Sequence, residues 1–198
     1  MAQLEDDILI AQAKHGDLAA FNELVTRYQD AAFSIAYRML GDADLAADMT
    51  QDALIIAYRK LDTYQGGSYR AWLSRIISNR CLDELRRSKR QRTDYLDDLS
   101  PDNDDGAPIP SSTPSPEQVV QQNELQAAIQ DCINALGADQ KATLVMCDVQ
   151  GWAYQEIADA TNTQIGTVKS RLARARLAMR TCLQGVQELL PTEFRLFK

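Results

Sequence analysis

Ile165–Arg180, with the sequence IGTVKSRLARARLAMR, has the apolar spacing of a helix that packs along one side only. At about 100° per residue, one apolar stripe takes in Ile165, Val168, Leu172, Ala175 and Met179. Thr167, Ser170 and Arg174 lie on the other side, flanked by Arg171. The run therefore predicts a helix with one buried face and one polar, basic face.

A second, shorter helical pattern precedes this one. Tyr154–Thr161 has helical spacing, and the small residue Ala158 lies where two helices could cross closely. Asn162 follows at the turn, where the residue must tolerate a left-handed backbone. A helix, a tight turn and a second helix in this order predict a helix-turn-helix that reads DNA.

The basic face carries five cations with no acid among them, although the whole chain has 28 acidic residues against 21 basic ones. A solvated face of an ordinary helical bundle is the alternative, but local basicity in an acidic chain favours nucleic-acid binding. Lys169 and Arg176 are expected to neutralise phosphates. The residues expected to approach base edges are Thr167, Ser170, Arg171 and Arg174.

Composition narrows the class of protein. The 198 residues suffice for two small domains and contain no apolar run of membrane-spanning length. The first residues lack the order of a signal peptide, which predicts a cytoplasmic protein. The widely spaced cysteines are expected to be buried reduced thiols rather than metal ligands. Because no phosphate-binding glycine loop or nucleophile elbow occurs, neither an enzyme nor a cofactor is expected.

Helical periodicity covers about residues 4–92, with breaks at His15–Asp17, Leu40–Asp42 and Tyr64–Ser68. Residues 94–116 then contain five prolines and several aspartates without a single Lys or Arg, which predicts a flexible acidic linker. Periodicity resumes near Glu117. The predicted fold is all-α, with a first helical domain at 1–93, the linker at 94–116, a helix-turn-helix domain at 117–190 and a tail at 191–198.

The stretch Tyr69–Arg90 combines a packing face with a second cationic face. The packing face comprises Trp72, Leu73, Ile76, Ile77, Cys81 and Leu85. Arg75, Asn79, Arg86 and Arg90 cluster on the opposite side. The dipole of a helix C-terminus favours cations and accounts for two or three of them, but not for all.

An acidic surface that includes an apolar residue is predicted earlier in the chain. Helical spacing places Asp48, Gln51, Asp52 and Ile55 side by side. Opposite them runs an apolar stripe of Leu45, Met49, Ala53 and Ile56. A surface that mixes acids with exposed apolar groups is suited to a protein partner, and a solvated face is the equal alternative.

Three motifs resemble those of the extracytoplasmic-function sigma factors and occur in the same order as in that family. These proteins are small two-domain factors of bacterial transcription initiation. Gly41-Asp42 precedes Ala47–Asp52, and Ala71–Ile76 precedes Asn79 and Asp83–Arg87. The third motif pairs Glu156–Ala158 with Gly166–Leu172. The resemblance covers nearly the whole chain outside the linker and the last residues.

This resemblance implies that the chain binds core RNA polymerase and promoter DNA. Asp48, Gln51, Asp52 and Ile55 would face the clamp helices of the β′ subunit, with further polymerase contact through the β subunit. The melted −10 element would be bound by Tyr64, Gly66, Gly67, Ser68 and Tyr69, whose aromatic rings would stack on an unpaired base, and by Arg75, Asn79, Arg86 and Arg90. The −35 duplex would be read by Gly166, Thr167, Lys169, Ser170, Arg171, Arg174 and Arg176.

Many members of that group are held inactive by an anti-sigma factor, although no residue here identifies one. The chain departs from the usual pattern at Leu54, where an aromatic residue is common, and at Thr161 and Thr163 beside the turn. A stand-alone helix-turn-helix regulator is the alternative function, and a helical adaptor protein is another. The regulator would bind duplex DNA tightly without polymerase, whereas the net charge of −7 should weaken DNA binding by a lone sigma factor.

Overall fold

The computed structural model describes residues 2–94, 116–186 and 188. The chain forms two compact units, Met1–Asp104 and Asp105–Lys198. Every regular element within the described ranges is a helix, which confirms the all-α prediction. Residues 95–115 of the predicted linker and the predicted tail lie outside the described residues. No described helix combines the length and the hydrophobicity that a bilayer crossing requires.

The helices of the first unit are interrupted at the predicted breaks. They are α1 (Ala2–Lys14), α2 (Leu18–Leu40), α3 (Ala43–Arg59) and α4 (Tyr69–Asp94), with a short 3-10 turn at Leu61–Thr63. The helix α3 already ends at Arg59, before the third break.

Local chemistry explains these breaks. The Asp17 carboxylate accepts a hydrogen bond from the Ala19 amide at 2.9 Å and caps α2. Gly41 ends α2 with a φ of 80°, a left-handed conformation that glycine adopts at little cost. Asp42 then caps α3 through the Leu45 amide at 2.8 Å.

The core of the first unit lies where α1, α2, α3 and α4 pack together. Leu24, Met39 and Ile77 are among its fully buried side chains. A polar cluster joins α1 to α2, because the Tyr28 hydroxyl donates a hydrogen bond to buried Asp6. Burial and this carboxylate raise the pKa of Tyr28 to about 12.

The second unit contains α5 (Pro116–Asn134), α6 (Ala138–Leu144), α7 (Tyr154–Thr161) and α8 (Ile165–Gly185). A π-helical turn at Val145–Val149 follows α6 directly. α8 packs against α5, α6 and α7. The core around it contains Ile133, Leu136, Leu144, Leu172 and Ala175.

The prediction of four reduced cysteines is wrong for two of them. Cys132 of α5 and Cys182 of α8 form a disulfide with a Cα–Cα distance of 5.7 Å. They are 50 residues apart in sequence and meet only because α5 packs on α8, which their spacing does not reveal. Cys81 is a buried free thiol, as predicted, and Cys147 is a free thiol that is half-buried.

Candidate nucleic-acid and partner-protein interfaces

The turn between α7 and α8 has the geometry of a helix-turn-helix. Asn162 adopts φ 51° and ψ 50°, so the predicted left-handed residue is confirmed. The Thr161 hydroxyl donates to the Ile157 carbonyl at 2.7 Å and lies 2.9 Å from the Thr163 hydroxyl. Ala158 is buried, which permits the close approach of the two helices. Hydrogen bonds of these two threonine hydroxyls therefore hold the turn.

The start of α7 is fixed by contacts that were not predicted from the sequence. The Glu156 carboxylate accepts a hydrogen bond from the Ala153 amide at 2.9 Å and so caps the helix from its first turn. Trp152 is buried immediately before it, and its indole N–H donates to the Gln150 side chain at 3.1 Å. A glutamate at the third helical position was the available sequence signal.

The apolar face of α8 matches the predicted stripe except at its first residue. Val168, Leu172 and Ala175 are buried, and Met179 packs against the core. Ile165 is 41% exposed, so its assignment to the buried stripe is wrong. Side chains of a helix lean toward its N-terminus, and that of the first residue therefore leans past the packed segment.

The opposite face of α8 is polar and open to solvent. Gly166, Lys169, Ser170 and Arg174 are exposed, and Thr167 is half-buried. The Arg174 guanidinium donates to the Ser170 carbonyl at 3.3 Å. No acidic side chain among the described residues forms an ion pair with Lys169 or Arg174, so both can attract an anion.

Arg171 and Arg176 have a different environment, because each is bound by an acid of the same unit. Arg171 Nη2 lies 2.7 Å from Asp139 Oδ2 at the start of α6. Arg176 contacts both oxygens of Asp148, with 3.0 Å from Nε to Oδ2 and 2.7 Å from Nη2 to Oδ1. The arginine lowers the pKa of Asp148. Neither pair could be predicted from the sequence, because its two members lie on different helical segments.

The cationic face of α4 is exposed. Arg75, Asn79, Arg86 and Arg90 are all open to solvent. Arg86 also forms an ion pair with Asp83 at 3.0 Å, one turn earlier. Leu73, Ile77 and Cys81 are buried on the other side, as predicted.

The loop that leads into α4 differs from the prediction in its aromatic residues. Tyr64 is 6% exposed and Tyr69 is 3% exposed, so neither ring offers a face to a base. The prediction that they stack on an unpaired base is wrong for this conformation. Both rings pack with Trp72 in the core, where burying aromatic surface is favourable. The Tyr64 hydroxyl instead donates to the Gly67 carbonyl and braces the loop.

The rest of this loop is exposed. Gly66 and Gly67 have φ values of 96° and 90°, a region that side chains other than glycine rarely adopt. Apart from its own chain neighbours, neither glycine has a heavy atom within 4 Å of the place a Cβ would occupy. The Ser68 hydroxyl accepts from the Ala71 amide at 3.2 Å and caps α4. The loop thus leaves its glycine backbone open to close approach by a ligand.

The predicted partner surface lies on α3. Asp48 and Gln51 are exposed, and Ile55 is 50% exposed. Tyr58, one turn further, is also partly exposed and packs edge-on against Phe21 of α2. Asp52 differs from its neighbours because Arg80 of α4 binds it at 2.6 Å. Among the described residues, no group of three potential metal-binding side chains is found.

Two sequence families match this chain in order. Residues 24–91 match Sigma-70 region 2, and residues 126–179 match Sigma-70, region 4. The first match contains α3 and most of α4, and the second contains α7 and most of α8.

Curated relatives extend these matches over most of the chain. The ECF RNA polymerase sigma factor SigE of Mycolicibacterium smegmatis is 36% identical over 171 residues, which are 85% of this chain and 64% of that protein. The ECF RNA polymerase sigma-E factor of Escherichia coli K12 is 32% identical over 179 residues, which are 89% and 93% of the two chains. The chain thus spans less than two thirds of the first relative and nearly all of the second.

Solved structures have a similar fold. A sigma factor RpoE solved with the anti-sigma factor NepR from Bartonella quintana superposes with a TM-score of 0.55 and 24% identity, covering 82% of this chain and 96% of that one. CnrH, solved in complex with the cytosolic domain of CnrY, superposes with a TM-score of 0.52 and 24% identity, covering 91% of this chain and 98% of that one.

Proposed function

The chain belongs to the extracytoplasmic-function group of RNA polymerase sigma factors, and we propose that its first unit engages polymerase and the −10 element while its second reads the −35 element. As a member of this family it is a promoter-specific initiation factor. The observation that carries the division of labour is the separation of two basic surfaces, one on α4 and one on α8, into different compact units.

The α3 surface is the proposed contact with the β′ clamp helices. Asp48 and Gln51 offer polar groups, and Ile55 adds apolar area that water covers poorly. Asp52 would contribute from a fixed position, since Arg80 holds its carboxylate. We assign further contact to the β subunit without naming residues for it.

The loop before α4 and the cationic face of α4 are the proposed −10 site. Gly66, Gly67 and Ser68 supply exposed backbone, while Tyr64 and Tyr69 support the loop from the core. Arg75, Asn79, Arg86 and Arg90 would then follow the backbone of the melted strand.

The exposed face of α8 is the proposed −35 reader. Thr167, Ser170 and Arg174 would approach base edges, and Lys169 would neutralise a phosphate. Gly166, the second residue of α8, has no side chain that would hinder approach to the DNA backbone. Arg171 and Arg176 complete this surface, each with an acid attached.

Two neighbouring structures are complexes with an anti-sigma factor or with the cytosolic domain of a partner. By analogy, we propose that this chain also binds a regulatory protein and that this regulator covers the exposed α3 surface. Because bacterial polymerase works in the cytoplasm, we place the protein there, and its role requires no catalytic residue of its own.

Binding measurements with core polymerase test this proposal. The full chain should co-migrate with sigma-free core polymerase in size-exclusion chromatography, and the pair should shift a promoter fragment at salt concentrations where neither shifts it alone. Strong binding of the fragment by the chain alone, with no gain from core, would favour a stand-alone regulator.

A further inference from the structure

The cations of α8 fall into two classes. Lys169, Arg174 and Arg180 form no ion pair with a described residue, whereas Arg171 and Arg176 are each bound by an acid. Neither acid lies on α7 or α8, the two helices of the helix-turn-helix. The scaffold of the second unit therefore neutralises two of the charges that α8 would present to DNA.

The first acid, Asp139, lies in the first turn of α6. The positive end of the helix dipole favours an acidic side chain at that position. Asp139 is about half exposed, and the side chain of Arg171 is only 19% exposed. The pair thus lies at the edge of the polar face, with the acid accessible to solvent.

The second acid, Asp148, lies in the π-helical turn after α6 and binds Arg176 with both oxygens. Such a two-bond contact takes up the Nε side of the guanidinium. The side chains of Arg176 and Asp148 are 50% and 33% exposed. Because the carboxylate is ionised beside the guanidinium, the pair has no net charge at neutral pH.

Net charge decides how strongly α8 attracts DNA of any sequence. Each phosphate neutralised by a free cation adds about 0.9 to the slope of log K against log salt, and this term supplies nearly all non-specific affinity. A neutral pair loses most of that attraction, yet the arginine keeps N–H groups that can donate to a base or phosphate placed correctly. Acids beside arginines would therefore lower binding to arbitrary sequences more than binding to the correct one.

We propose that Asp139 and Asp148 are specificity-determining residues that restrain the affinity of α8 for DNA of arbitrary sequence. The inference rests on the proposed function, because it requires that α8 contacts DNA. It assigns the two acids a role in promoter choice although neither needs to touch a base.

Chromatography of the full chain on mixed-sequence duplex DNA immobilised on cellulose tests this inference. Asp139→Asn with Asp148→Asn keeps the size of each side chain and frees both arginines. The charge-matched control is Asp131→Asn with Asp159→Asn, two exposed acids of the same unit. We expect the first variant to elute at clearly higher salt than wild type, and the control to shift much less.

A salt titration with a labelled duplex of random sequence measures the same effect. The slope of log K against log salt should steepen by up to about 0.9 for each freed arginine in the first variant. Adding Arg171→Gln and Arg176→Gln to it should return elution close to that of wild type. Circular dichroism melting of each variant identifies any that unfold. If one acid is needed for folding, the single variant of the other acid, Asp139→Asn or Asp148→Asn, is compared with the single control Asp131→Asn.

Elution of the Asp139/Asp148 variant together with the charge-matched control would overturn the inference. Failure of the proposed function would look different. Lys169→Gln with Arg174→Gln removes two of the three cations that have no acidic partner and should elute earlier than wild type if α8 meets DNA at all. If that variant elutes with wild type, the −35 assignment itself fails.

Discussion

Arg80 of α4 binds Asp52 of α3, with 2.6 Å between Nη2 and Oδ2. Asp52, one of the acids of the proposed polymerase surface, therefore also joins α3 to α4, which carries the proposed −10 surface. Its neighbours Asp48 and Gln51 have no such contact among the described hydrogen bonds and ion pairs. Loss of Asp52 should therefore affect stability as well as binding, whereas loss of Asp48 or Gln51 should affect binding alone.

Asp48→Lys combined with Gln51→Ala should abolish binding to core polymerase and leave helix content unchanged. Charge reversal in a desolvated interface typically costs several kcal/mol, more than a transient complex can lose. Co-purification with core polymerase and circular dichroism measure the two effects. Undiminished co-purification would remove the proposed interface.

Asp52→Ala should act differently, through the helix pair. Because the ion pair is partly exposed, we expect the free energy of unfolding to fall by only about 1 kcal/mol or less. Chemical denaturation measures this loss, with Asp48→Ala as the matched control. Equal stabilities of the two variants would indicate that the Arg80 contact does not stabilise the fold.

Tyr64→Phe removes the hydroxyl that braces Gly67 and keeps the buried ring. The cost to stability should be about 1 kcal/mol, and the loop should become less ordered. We expect slower open-complex formation on duplex promoter than on a template already melted at −10. Equal defects on both templates would indicate that the loop does not act in melting.

Tyr64→Ala serves as the contrasting variant. Removing a buried aromatic ring typically costs about 3 to 5 kcal/mol. This variant should lose stability first and activity on every template with it. It tests the buried position of the ring rather than a contact with a base.

Arg174→Ala should relax sequence preference at one or two −35 positions by about 1 to 3 kcal/mol. Lys169→Ala should instead weaken binding to all sequences alike and flatten the salt dependence by about one phosphate contact. Titrations of the full chain with core polymerase against a panel of −35 variants distinguish the two. Uniform losses for both variants would mean that α8 touches only the DNA backbone.

Reduction of the Cys132–Cys182 disulfide should destabilise the second unit. The disulfide closes a loop between residues 50 apart, and opening it raises the chain entropy of the unfolded state. The free energy of unfolding should therefore fall by about 4 kcal/mol. Denaturation of the Cys132→Ser and Cys182→Ser double variant, with Cys147→Ser as control, measures this. A double variant as stable as the control would exclude a stabilising role for the disulfide.

Helix faces and breaks could be predicted because they depend on residues a few positions apart. The caps at Asp17, Gly41 and Asp42 and the left-handed Asn162 follow from local chemistry. The unit boundaries stay predictions, since residues 95–115 lie outside the described part of the chain.

Contacts between distant residues could not be predicted in this way. Asp139 is 32 residues from Arg171, and the disulfide cysteines are 50 apart, so only the packing of α5 and α6 on α8 brings them together. Tyr64 and Tyr69 flank the Gly66–Gly67 pair, which in the sequence favours an exposed loop. Both rings are nevertheless buried in the core, because burying aromatic surface is favourable. The sequence resemblance predicts the surfaces, but not which of their side chains are already engaged within the fold.

Transcription by sigma-free core polymerase with the purified chain tests the central claim most directly. We expect transcripts from genomic DNA to begin at discrete positions, each preceded by shared −10 and −35 sequences. Lys169→Ala with Arg174→Ala should weaken transcription from promoters that depend on the −35 element. Absence of any defined start site, with a chain that binds core polymerase and is fully folded, would contradict the assignment as an initiation factor.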